Sequence, residues 1–440
     1  MESILATGSD GQQLIPELDP KVYQNQSSYI ISRNQTTISS AIPVASSNGV
    51  RTVKWSIVDA NFLDLSSLHF SFTVNVGPTA ATAHCVPLSA IPHCWFRRLI
   101  IKVNGATVDD IDFLSRVESQ LSMFLSTQKK KNLGDCGTGW AAGSDAGTDW
   151  AARHIPVGGS RRCTWRPLSS GFLSCGRFLP MMGGASGGMT CEIELENPED
   201  AVLNGTNNST DWNLSELKIH VDSVTLTSEI TNDFADLLLS GRSVLVPYQQ
   251  NSCSVQYLAG TTGDVQITLA KQFSRLASVF VSLAQEDKTD AAERTTAGAN
   301  GKLQNNFYLA DDQAENVESY IQVNNKRFPA FNTQGTKQHF QRLLRGLGTF
   351  GSMAHASCIS EAGYGRSSAT PLPSRQFVTC HDLETMPSTE SSGMLVAGGG
   401  TVQIAMKNTG GAGKNATRVF IVTHSDSVLE LKDQSSIVYS

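Results

Sequence analysis

The sequence predicts an all-β protein made of two tandem β-units of sandwich or jelly-roll type. Short alternating apolar segments are separated by Gly, Asn, Pro and Ser, which is typical of closely spaced strands and turns. Only 17% of the residues are charged, which favours strands and loops over long surface helices. Local patterns also recur in the same order in the two halves of the 440-residue chain, which indicates a duplicated unit.

The clearest element is the stretch FRRLIIKVNGATVDDID at residues 96–112. Asn104-Gly105 predicts a type I′ turn, because both central residues of that turn need positive φ. One face of the resulting hairpin is apolar, and the other is wet and carries Asp109. The expected register pairs Val103 with Ala106, Ile101 with Val108, and Leu99 with Asp110.

A helix is predicted directly after the hairpin, in DFLSRVESQLSMFLS, because its apolar residues recur at helical spacing. Asp112 is the expected N-cap. The run Lys129-Lys130-Lys131 is expected at the C-terminal end of this helix, where positive charge suits the helix dipole.

Three pairs of segments indicate the duplication. HVDSVTLT at 220–227 matches HSDSVLEL at 424–431, and CEIELEN at 191–197 matches VQIAMKN at 402–408. FRRLIIKV at 96–103 finds a partner in FSRLASVFV at 273–281, so the opening strand of the hairpin is expected to recur there. Because the three matches keep their order along the chain, they favour a repeated unit over chance.

A short helix is predicted between the halves, in NDFADLLLSGRSVLVPY. Phe234, Leu237 and Leu238 lie at helical spacing, and Gly241 is a natural C′ residue. The expected domain organisation is an N-terminal arm at 1–50, a first unit at 51–232, a helical linker at 233–243 and a second unit at 244–440.

Composition limits the function classes. The net charge is −6 and the first 50 residues contain no cationic arm, so we expect no tight coating of nucleic acid and no sequence-specific nucleic-acid partner. The N-terminal stretch lacks the apolar segment of a signal peptide, which predicts a soluble chain that is not secreted. The nine cysteines contain no CxxC pair and are expected to be reduced and buried.

Several longer segments resemble a known family. FLDLSSLHFSFTVNV, the hairpin with its helix, and the short helix before VLVPY resemble the first half of double-jelly-roll major capsid proteins of eukaryotic DNA viruses. SYIQVNNKRFPAFNTQGTKQHFQRLLRGLG and ATRVFIVTHSDSVLELKDQSSIVYS resemble the second half of such proteins in adintovirus, polinton-like and virophage-type elements. The likeness covers about residues 50–440 and depends on order and pattern.

This resemblance implies two tandem eight-stranded jelly rolls, a double jelly roll, with short helices in loops and between the halves. It implies a non-enzymatic major capsid protein that trimerises into pseudo-hexameric capsomers and builds an icosahedral virion shell. The implied partners are other copies of the chain and penton and minor capsid proteins, and the resemblance leaves open whether an internal membrane underlies the shell. The implied location is the virion capsid, assembled inside the infected host cell, with loops 126–175 and 283–306 as outward decorations.

No catalytic, cofactor-binding or metal site is predicted. His84-Cys85 and His93-Cys94 supply two imidazoles and two thiols, but adjacent pairs lack the usual spacing of zinc ligands, and neighbouring side chains on a strand point to opposite faces. The adjacent carboxylates Asp109-Asp110 and Asp311-Asp312 are expected to be solvated, because adjacent carboxylates on a strand do not converge on one substrate.

Two further stretches are ambiguous. GLGTFG at 346–351 satisfies G-x-G-x-x-G, but it follows the helical pattern TKQHFQRLLR instead of a strand, which indicates a helix end and not a dinucleotide site. GWAAGSDAGTDWAAR at 138–152 holds Trp140 and Trp150, and it is expected either at a subunit contact or receptor-facing surface, or packed over the first unit.

Three other functions are compatible with a tandem β-protein. A cellular binding module for carbohydrate or protein need not assemble, whereas a coat protein must. A coat protein of a small RNA virus would usually carry a basic internal arm, which is absent from the first 50 residues. An enzyme on a cupin-like jelly roll would need converging histidines, and the nine histidines are scattered along the sequence.

Overall fold

The structure is a computed structural model of the chain. It describes residues 6–7, 13–14, 30–46, 48–77, 84–85, 87–89, 91–138, 155–181, 188–202, 209–258, 263–284, 307, 316–347, 357–359, 364, 376–385, 392–396, 400–409, 416–432 and 435–439.

The first unit consists of two antiparallel sheets. Its strands are β3 (Ile30–Ser39), β4 (Val44–Ser46), β5 (Thr52–Ile57), β6 (Phe62–Val76), β8 (Phe96–Val103), β9 (Ala106–Ile111), β11 (Ser160–Trp165), β12 (Phe178–Pro180), β13 (Met189–Leu195) and β14 (Trp212–Leu226). The larger sheet has the order β11-β6-β14-β3, with β12 and β4 paired at its margins, and the smaller sheet has the order β5-β13-β8-β9. Two short antiparallel pairs lie outside these sheets: β1 (Ala6–Thr7) with β2 (Gln13–Leu14), and β7 (His84–Cys85) with β10 (Ile155–Pro156).

The second unit repeats this plan. Its strands are β15 (Val244–Tyr257), β16 (Val265–Leu269), β17 (Arg275–Ala284), β18 (Glu318–Val323), β19 (Lys326–Gln334), β20 (Val378–Asp382), β21 (Met394–Leu395), β22 (Val402–Lys407), β23 (Arg418–Leu431) and β24 (Ser436–Tyr439). The larger sheet has the order β20-β17-β23-β15, with β21 and β24 paired at its margins, and the smaller sheet has the order β16-β22-β18-β19. Each unit therefore has four principal strands in each of two sheets, in the same order.

The helices are short and connect strands. They are α1 (Leu114–Phe124), α2 (Thr127–Thr138), α3 (Ser228–Leu239) and α4 (Gly335–Gly346), with a 3₁₀ turn at Pro92–Trp95. The helix α3 joins the two units as expected, and Gly241 adopts φ 77° just after it. The amide N–H of Gly241 donates to the carbonyl of Leu238, and that of Arg242 donates to Leu237, which closes the helix as a Schellman motif.

The repeat is confirmed for two of its three expected segment pairs. The two DSV segments lie in β14 and β23, which are the equivalent inner strands of the larger sheets, and CEIELEN and VQIAMKN form β13 and β22. The third pairing is wrong, because β8 belongs to a smaller sheet whereas β17 belongs to a larger one. The strand equivalent to β8 is β18, so the hairpin and helix recur at 318–346. The short Phe-x-Arg-Leu match carried no information about the sheet to which each strand belongs.

The hairpin β8–β9 turns at Asn104 and Gly105 with φ of 48° and 84°, as predicted. The predicted register is correct for Val103 with Ala106 but wrong for Ile101 and Leu99, because a bulge places Ile101 opposite Asp109 and Leu99 opposite Ile111. One extra residue, Val108, enters the second strand, so that both Val108 and Asp109 are fully buried.

The helix after the hairpin begins one residue later than the sequence indicates, and it ends before the lysine run. Phe113, with φ 49°, takes the N-cap position, and the carboxylate of Asp112 accepts the Phe113 N–H at 2.8 Å without capping the helix. The helix ends at Phe124, so the lysine run at 129–131 lies in the separate helix α2. The predicted placement of these lysines at a helix C-terminus is therefore wrong.

The domain limits remain a prediction, but some observed elements cross them. β3 pairs with β14 along nearly its whole length, so residues 30–39 of the expected arm belong to the first unit. α3 begins at Ser228, ahead of the expected linker.

One continuous cluster of buried apolar residues extends through both units. No helix within the described ranges is long and apolar enough to cross a membrane.

Candidate functional site: the seam between the units and its open counterparts

The two units meet along a contact that we call the seam. The first unit contributes the hairpin β8–β9, helix α1 and the loop at 166–175, and the second unit contributes β15, β17, β23 and β24. Helix α1 is buried on almost all sides, because its polar residues Ser115, Arg116, Glu118, Ser119, Gln120 and Ser122 are buried as well as its apolar ones. A surface helix would expose one side, so α1 is an internal connector.

Arg116 joins α1 to the second unit. Its guanidinium donates to Ser282 Oγ at 3.0 Å and to the Leu283 carbonyl at 3.2 Å. It also lies 3.8 Å from the ring centroid of Phe307 and 4.6 Å from that of Phe420. Burial lowers the pKa of Arg116 to about 9. Two aromatic faces and two oxygens thus stabilise a charge that water does not reach.

Phe113 marks the start of α1 with a left-handed backbone that a bulky side chain seldom adopts. Its ring packs edge-on against Phe420 at 5.5 Å, and the guanidinium of Arg97 lies 4.0 Å from its centroid. The opposite end of the helix makes a second aromatic contact, between Phe124 and Phe280 at 5.1 Å. Aromatic contacts therefore fix both ends of α1 on the second unit.

Two carboxyl groups are buried beside the seam. Glu118 accepts three hydrogen bonds, from the amides of Leu168 and Ser169 at 2.8 Å each and from Ser169 Oγ at 2.6 Å. Burial raises the pKa of Glu118 to about 7, although these donors lower it.

Asp109 accepts hydrogen bonds from Ser170 Oγ and from the Phe172 amide at 3.4 Å. Burial raises its pKa to about 7, against these two donors and the nearby Lys271. The expectation that Asp109 is solvated is wrong, because the bulge turns it inward, whereas Asp110 pairs with Arg98 at the surface at 2.8 Å. The second pair, Asp311-Asp312, lies outside the described residues.

Backbone atoms complete the seam. The carbonyl of Val108 accepts from Tyr248 Oη at 3.0 Å and from Gln250 Nε2 at 2.8 Å. Gly171 approaches the second unit so closely that a Cβ there would lie 1.6 Å from the Gln249 carbonyl oxygen. The two units are therefore joined as one preformed body.

The larger sheet of the second unit presents its outer side to the seam. We call this side the second outer face; its contacts with α1 and the 166–175 loop come from Asn251, Phe280, Ser282 and Phe420. All four residues are buried.

The larger sheet of the first unit has an equivalent side, the first outer face, with Thr37, His69, Ser71, Thr73, Glu216 and His220. It is polar. His69 and His220 stack at 4.9 Å, and His220 Nε2 lies 2.7 Å from Ser71 Oγ. Within the part of the chain that the structure describes, no strand or helix covers this face.

The second unit also has its own hairpin and helix, β18–β19 and α4, and these are open. Asn324 and Asn325 turn the hairpin with φ of 50° and 64°. Gly335, with φ 75°, begins α4 where Phe113 begins α1. The outer side of α4 exposes Lys337, Gln338, Gln341 and Arg345, whereas its inner side buries His339, whose Nε2 lies 2.8 Å from Ser319 Oγ.

The sequence-derived metal candidates do not converge. His93 Nε2 lies 2.9 Å from Ser119 Oγ, and the cysteines at 85 and 94 are buried thiols. Burial raises the pKa of Cys163 to about 12, with a smaller contribution from Cys94. Among the described residues, no group of three or more His, Cys, Asp or Glu side chains could hold a metal ion. The eight cysteines whose side chains the structure describes form no disulfide with one another.

The remaining candidate stretches lie partly outside the described residues. Helix α4 ends at Gly346, which confirms the helical pattern ahead of GLGTFG, but residues 348–351 of that motif are not among the described residues. Trp140 and Trp150 also lie outside them, as does 285–306. Within 126–175, α2 and β11 are regular elements, so this segment is not a single loop.

Comparison with known proteins gives a match in structure only. No protein-family model and no curated protein matches the sequence. Among solved structures, the PBCV-1 protein VP54, fitted into a reconstruction of the virophage Sputnik, has a TM-score of 0.58 at 12% identity, and the alignment covers 93% of this chain and 97% of that one. The PBCV-1 virus capsid, in a quasi-atomic description, gives 0.60 at 12% identity over the same shares.

The chain has the double jelly-roll fold. The Faustovirus major capsid protein is similar at a TM-score of 0.50 and 8% identity, over 91% of this chain and 90% of that one. These structural neighbours are double-jelly-roll major capsid proteins of DNA viruses, so the expected fold is confirmed over nearly the whole chain. The seam is then the contact between the first and second jelly rolls of one double jelly roll.

No direct sequence signal marks Arg116, Glu118 or Asp109 as seam residues. One signal was available in composition: α1 has only two charged residues among eleven, Arg116 and Glu118, and is rich in Ser, whereas α4 has Lys and Arg on its outer side. A helix with few charges is typical of burial on several sides.

Proposed function

We propose that this chain is a non-enzymatic shell-building protein, a major capsid subunit that trimerises into pseudo-hexameric capsomers and forms an icosahedral virion shell. The observation that carries the proposal is the match of the complete double jelly roll to the PBCV-1 and Faustovirus proteins over at least nine-tenths of this chain. The printed names of those proteins describe capsids, and the same role is assigned to this chain by fold.

The internal duplication supports the trimer. Two similar units held rigidly by the seam give three chains six near-equivalent corners, and a cyclic head-to-tail contact closes such a ring. A permanent contact of this kind should bury more than roughly 2,000 Å².

The proposed partners follow from this role. They are other copies of the chain, penton and minor capsid proteins, and an internal membrane beneath the shell, and the proposed location is the virion capsid, assembled in the infected host cell. The net charge of −6 supports assembly through protein contacts without sequence-specific nucleic acid. The domain limits at 50, 232 and 243 are part of the same proposal.

Light scattering of the purified chain at low micromolar concentration tests the proposal. We expect a particle of three chain masses of 47.3 kDa each, with threefold outlines in the electron microscope. Co-expression with a penton protein should give closed shells. A stable monomer that forms no shells under co-expression would contradict the proposal and favour a cellular binding module.

A further inference from the structure

The seam gives a template for a contact that the single chain cannot make with itself. In the seam, the first unit's hairpin and helix cover the second outer face. The second unit has an equivalent hairpin and helix, β18–β19 and α4, and the first unit has an equivalent sheet, which presents the first outer face. Within the described residues, neither the outer side of α4 nor the first outer face is covered by another element.

We infer that the hairpin β18–β19 and helix α4 of one copy dock on the first outer face of a second copy, with Gln338 beside Glu216. This inference rests on the proposed trimer and names the surfaces and the residues that would form it.

The position of Gln338 follows from the helix starts. Phe113 and Gly335 are the positive-φ residues at the starts of α1 and α4. Arg116 is the third residue after Phe113, and Gln338 is the third after Gly335. Arg116 reaches Ser282 on β17, so Gln338 is expected to reach the equivalent residue on β6 of the second copy.

The register of the sheets identifies that residue. Ser278 pairs with His424 in the second unit, and His69 pairs with His220 in the first. Counting along β17 and β6 from these pairs makes Thr73 equivalent to Ser282.

Beside Thr73 lies a carboxylate that the second unit lacks. The pairing of β14 with β6 is irregular between Ser215 and Lys218, and this irregularity holds Glu216 at φ 52° and exposes it. Glu216 Oε2 accepts a hydrogen bond from Thr73 Oγ1 at 3.0 Å. A carboxylate therefore stands at the place where the incoming helix would insert a donor.

Gln338 can supply that donor. Its Oε1 accepts the Gln334 amide N–H at 2.6 Å, and its side chain is exposed, so its Nε2 can donate to a neighbouring copy. In the seam, an arginine lies between aromatic rings. In the proposed contact between copies, the neutral amide of Gln338 would lie beside the carboxylate of Glu216. Polar surfaces of this kind keep a free subunit soluble before assembly.

The hairpin supplies an apolar anchor for the same contact. In β18–β19 the register shifts between Ser319 and Ile321, and the extra residues 329–332 present Phe331 with 87% of its surface exposed. The equivalent part of the first hairpin, at Val108, contacts β15 of the second unit. The equivalent of β15 is β3, a ten-residue edge strand whose outer edge is unpaired among the described residues. Native proteins cover such long edges, and a second copy would do so here.

A charge-reversal cycle tests the inference. Gln338→Glu keeps an acceptor for the Gln334 amide, so the helix start is preserved while a carboxylate faces Glu216. Glu216→Lys places an ammonium on the first outer face. We expect each single variant to raise the trimer dissociation constant at least tenfold in a dilution series followed by mass photometry, and the double variant to recover most of the wild-type affinity.

The matched control is Gln341→Glu, on the same helix. Its equivalent in α1 is Ser119, which contacts His93 of its own unit, so this variant should assemble like the wild type.

The variant Phe331→Ser tests the apolar anchor on the hairpin. It should weaken the trimer without affecting the monomer's thermal midpoint.

The outcomes separate the two proposals. A wild-type trimer whose stability is unchanged by Gln338→Glu and Glu216→Lys, or one that both weaken with no recovery in the double variant, overturns the inference and leaves the capsomer intact. A wild-type chain that stays monomeric overturns the capsomer and the inference together.

Discussion

In the first unit, hairpin β8–β9 and helix α1 lie against the second unit, whereas in the second unit hairpin β18–β19 and helix α4 lie open. The chain order of the two segments is the same, and both helices start at a positive-φ residue. The side chains at equivalent positions differ between the seam and the open surfaces. Arg116 corresponds to Gln338, Phe280 corresponds to Ser71, and the fully buried Ser282 corresponds to the half-buried Thr73 on the first outer face.

In the proposed assembly, this difference would let one fold make two kinds of contact. The seam lies within one chain, so it can bury a charge, two carboxyl groups and aromatic rings without exposing them to water. A surface that must stay in water before it meets a partner is expected to be polar with a few apolar anchors.

The largest effect is expected at Arg116. Arg116→Ala removes the contacts with Ser282, Leu283 and two rings and leaves a cavity in the seam, which should lower the free energy of unfolding by about 3 kcal/mol. Gln338→Ala, at the equivalent open position, should cost about 0.5 kcal/mol. Chemical denaturation of both variants measures the contrast, and equal losses would refute the difference between buried and open helices.

The buried carboxyl groups predict a pH effect. The pKa values of Asp109 and Glu118 are raised to about 7, so the folded chain holds protons that the unfolded chain releases. Their contribution to stability is fully present below about pH 4 and is lost as the pH rises through about 7.

The double variant Asp109→Asn, Glu118→Gln isolates this effect. Relative to the wild type, its free energy of unfolding should rise by on the order of 3 kcal/mol for each replaced carboxyl group between pH 4.5 and pH 8. The buried His339 and His381, whose pKa values burial lowers to about 4 and about 3, titrate with the opposite sign but are common to both proteins. A constant difference across this range would mean that neither carboxyl group is protonated in the folded chain.

A smaller effect is expected at the first hairpin turn. A Cβ at Gly105 would meet nothing within 4 Å, so only its φ of 84° opposes substitution. Gly105→Val should cost roughly 2 kcal/mol, because a β-branched residue rarely adopts this backbone. An unchanged thermal midpoint would remove the type I′ turn from the account.

The smallest effect is expected at the second turn, where Asn325 has φ 64°. Asn325→Gly should raise the free energy of unfolding by about 0.5 kcal/mol, since glycine adopts this conformation without a steric penalty. The reciprocal Gly105→Asn should lower it by a similar amount. Shifts of the same sign in both variants would show that the two turns are not equivalent.

Much of the fold could be predicted from local pattern. The turn at Asn104-Gly105, the linker helix with Gly241 and the equivalence of the DSV strands depend on nearby residues, and the structure confirms each of them. The hairpin β18–β19, which is the repeat equivalent of β8–β9, was also indicated by its two-residue turn, because QVNNK at 322–326 parallels KVNGA at 102–106.

The seam could not be predicted in this way. The bulge at Val108 exists because the Val108 carbonyl meets Tyr248 and Gln250, which lie more than a hundred residues away. The helical period of α1 identified its apolar residues, but the burial of Arg116 and Glu118 between them depends on partners from other strands and loops. Local periodicity contains no information on such distant partners.

The central claim is that one hairpin and helix is used inside the chain and its duplicate between chains. Cryo-electron microscopy of the purified protein, reconstructed without imposed symmetry, tests this most directly. The account predicts three chains in a six-lobed ring, with α4 of each chain on β6 and β14 of the next and Phe331 buried against β3. A ring in which α4 faces solvent, or a single two-lobed chain, would contradict it.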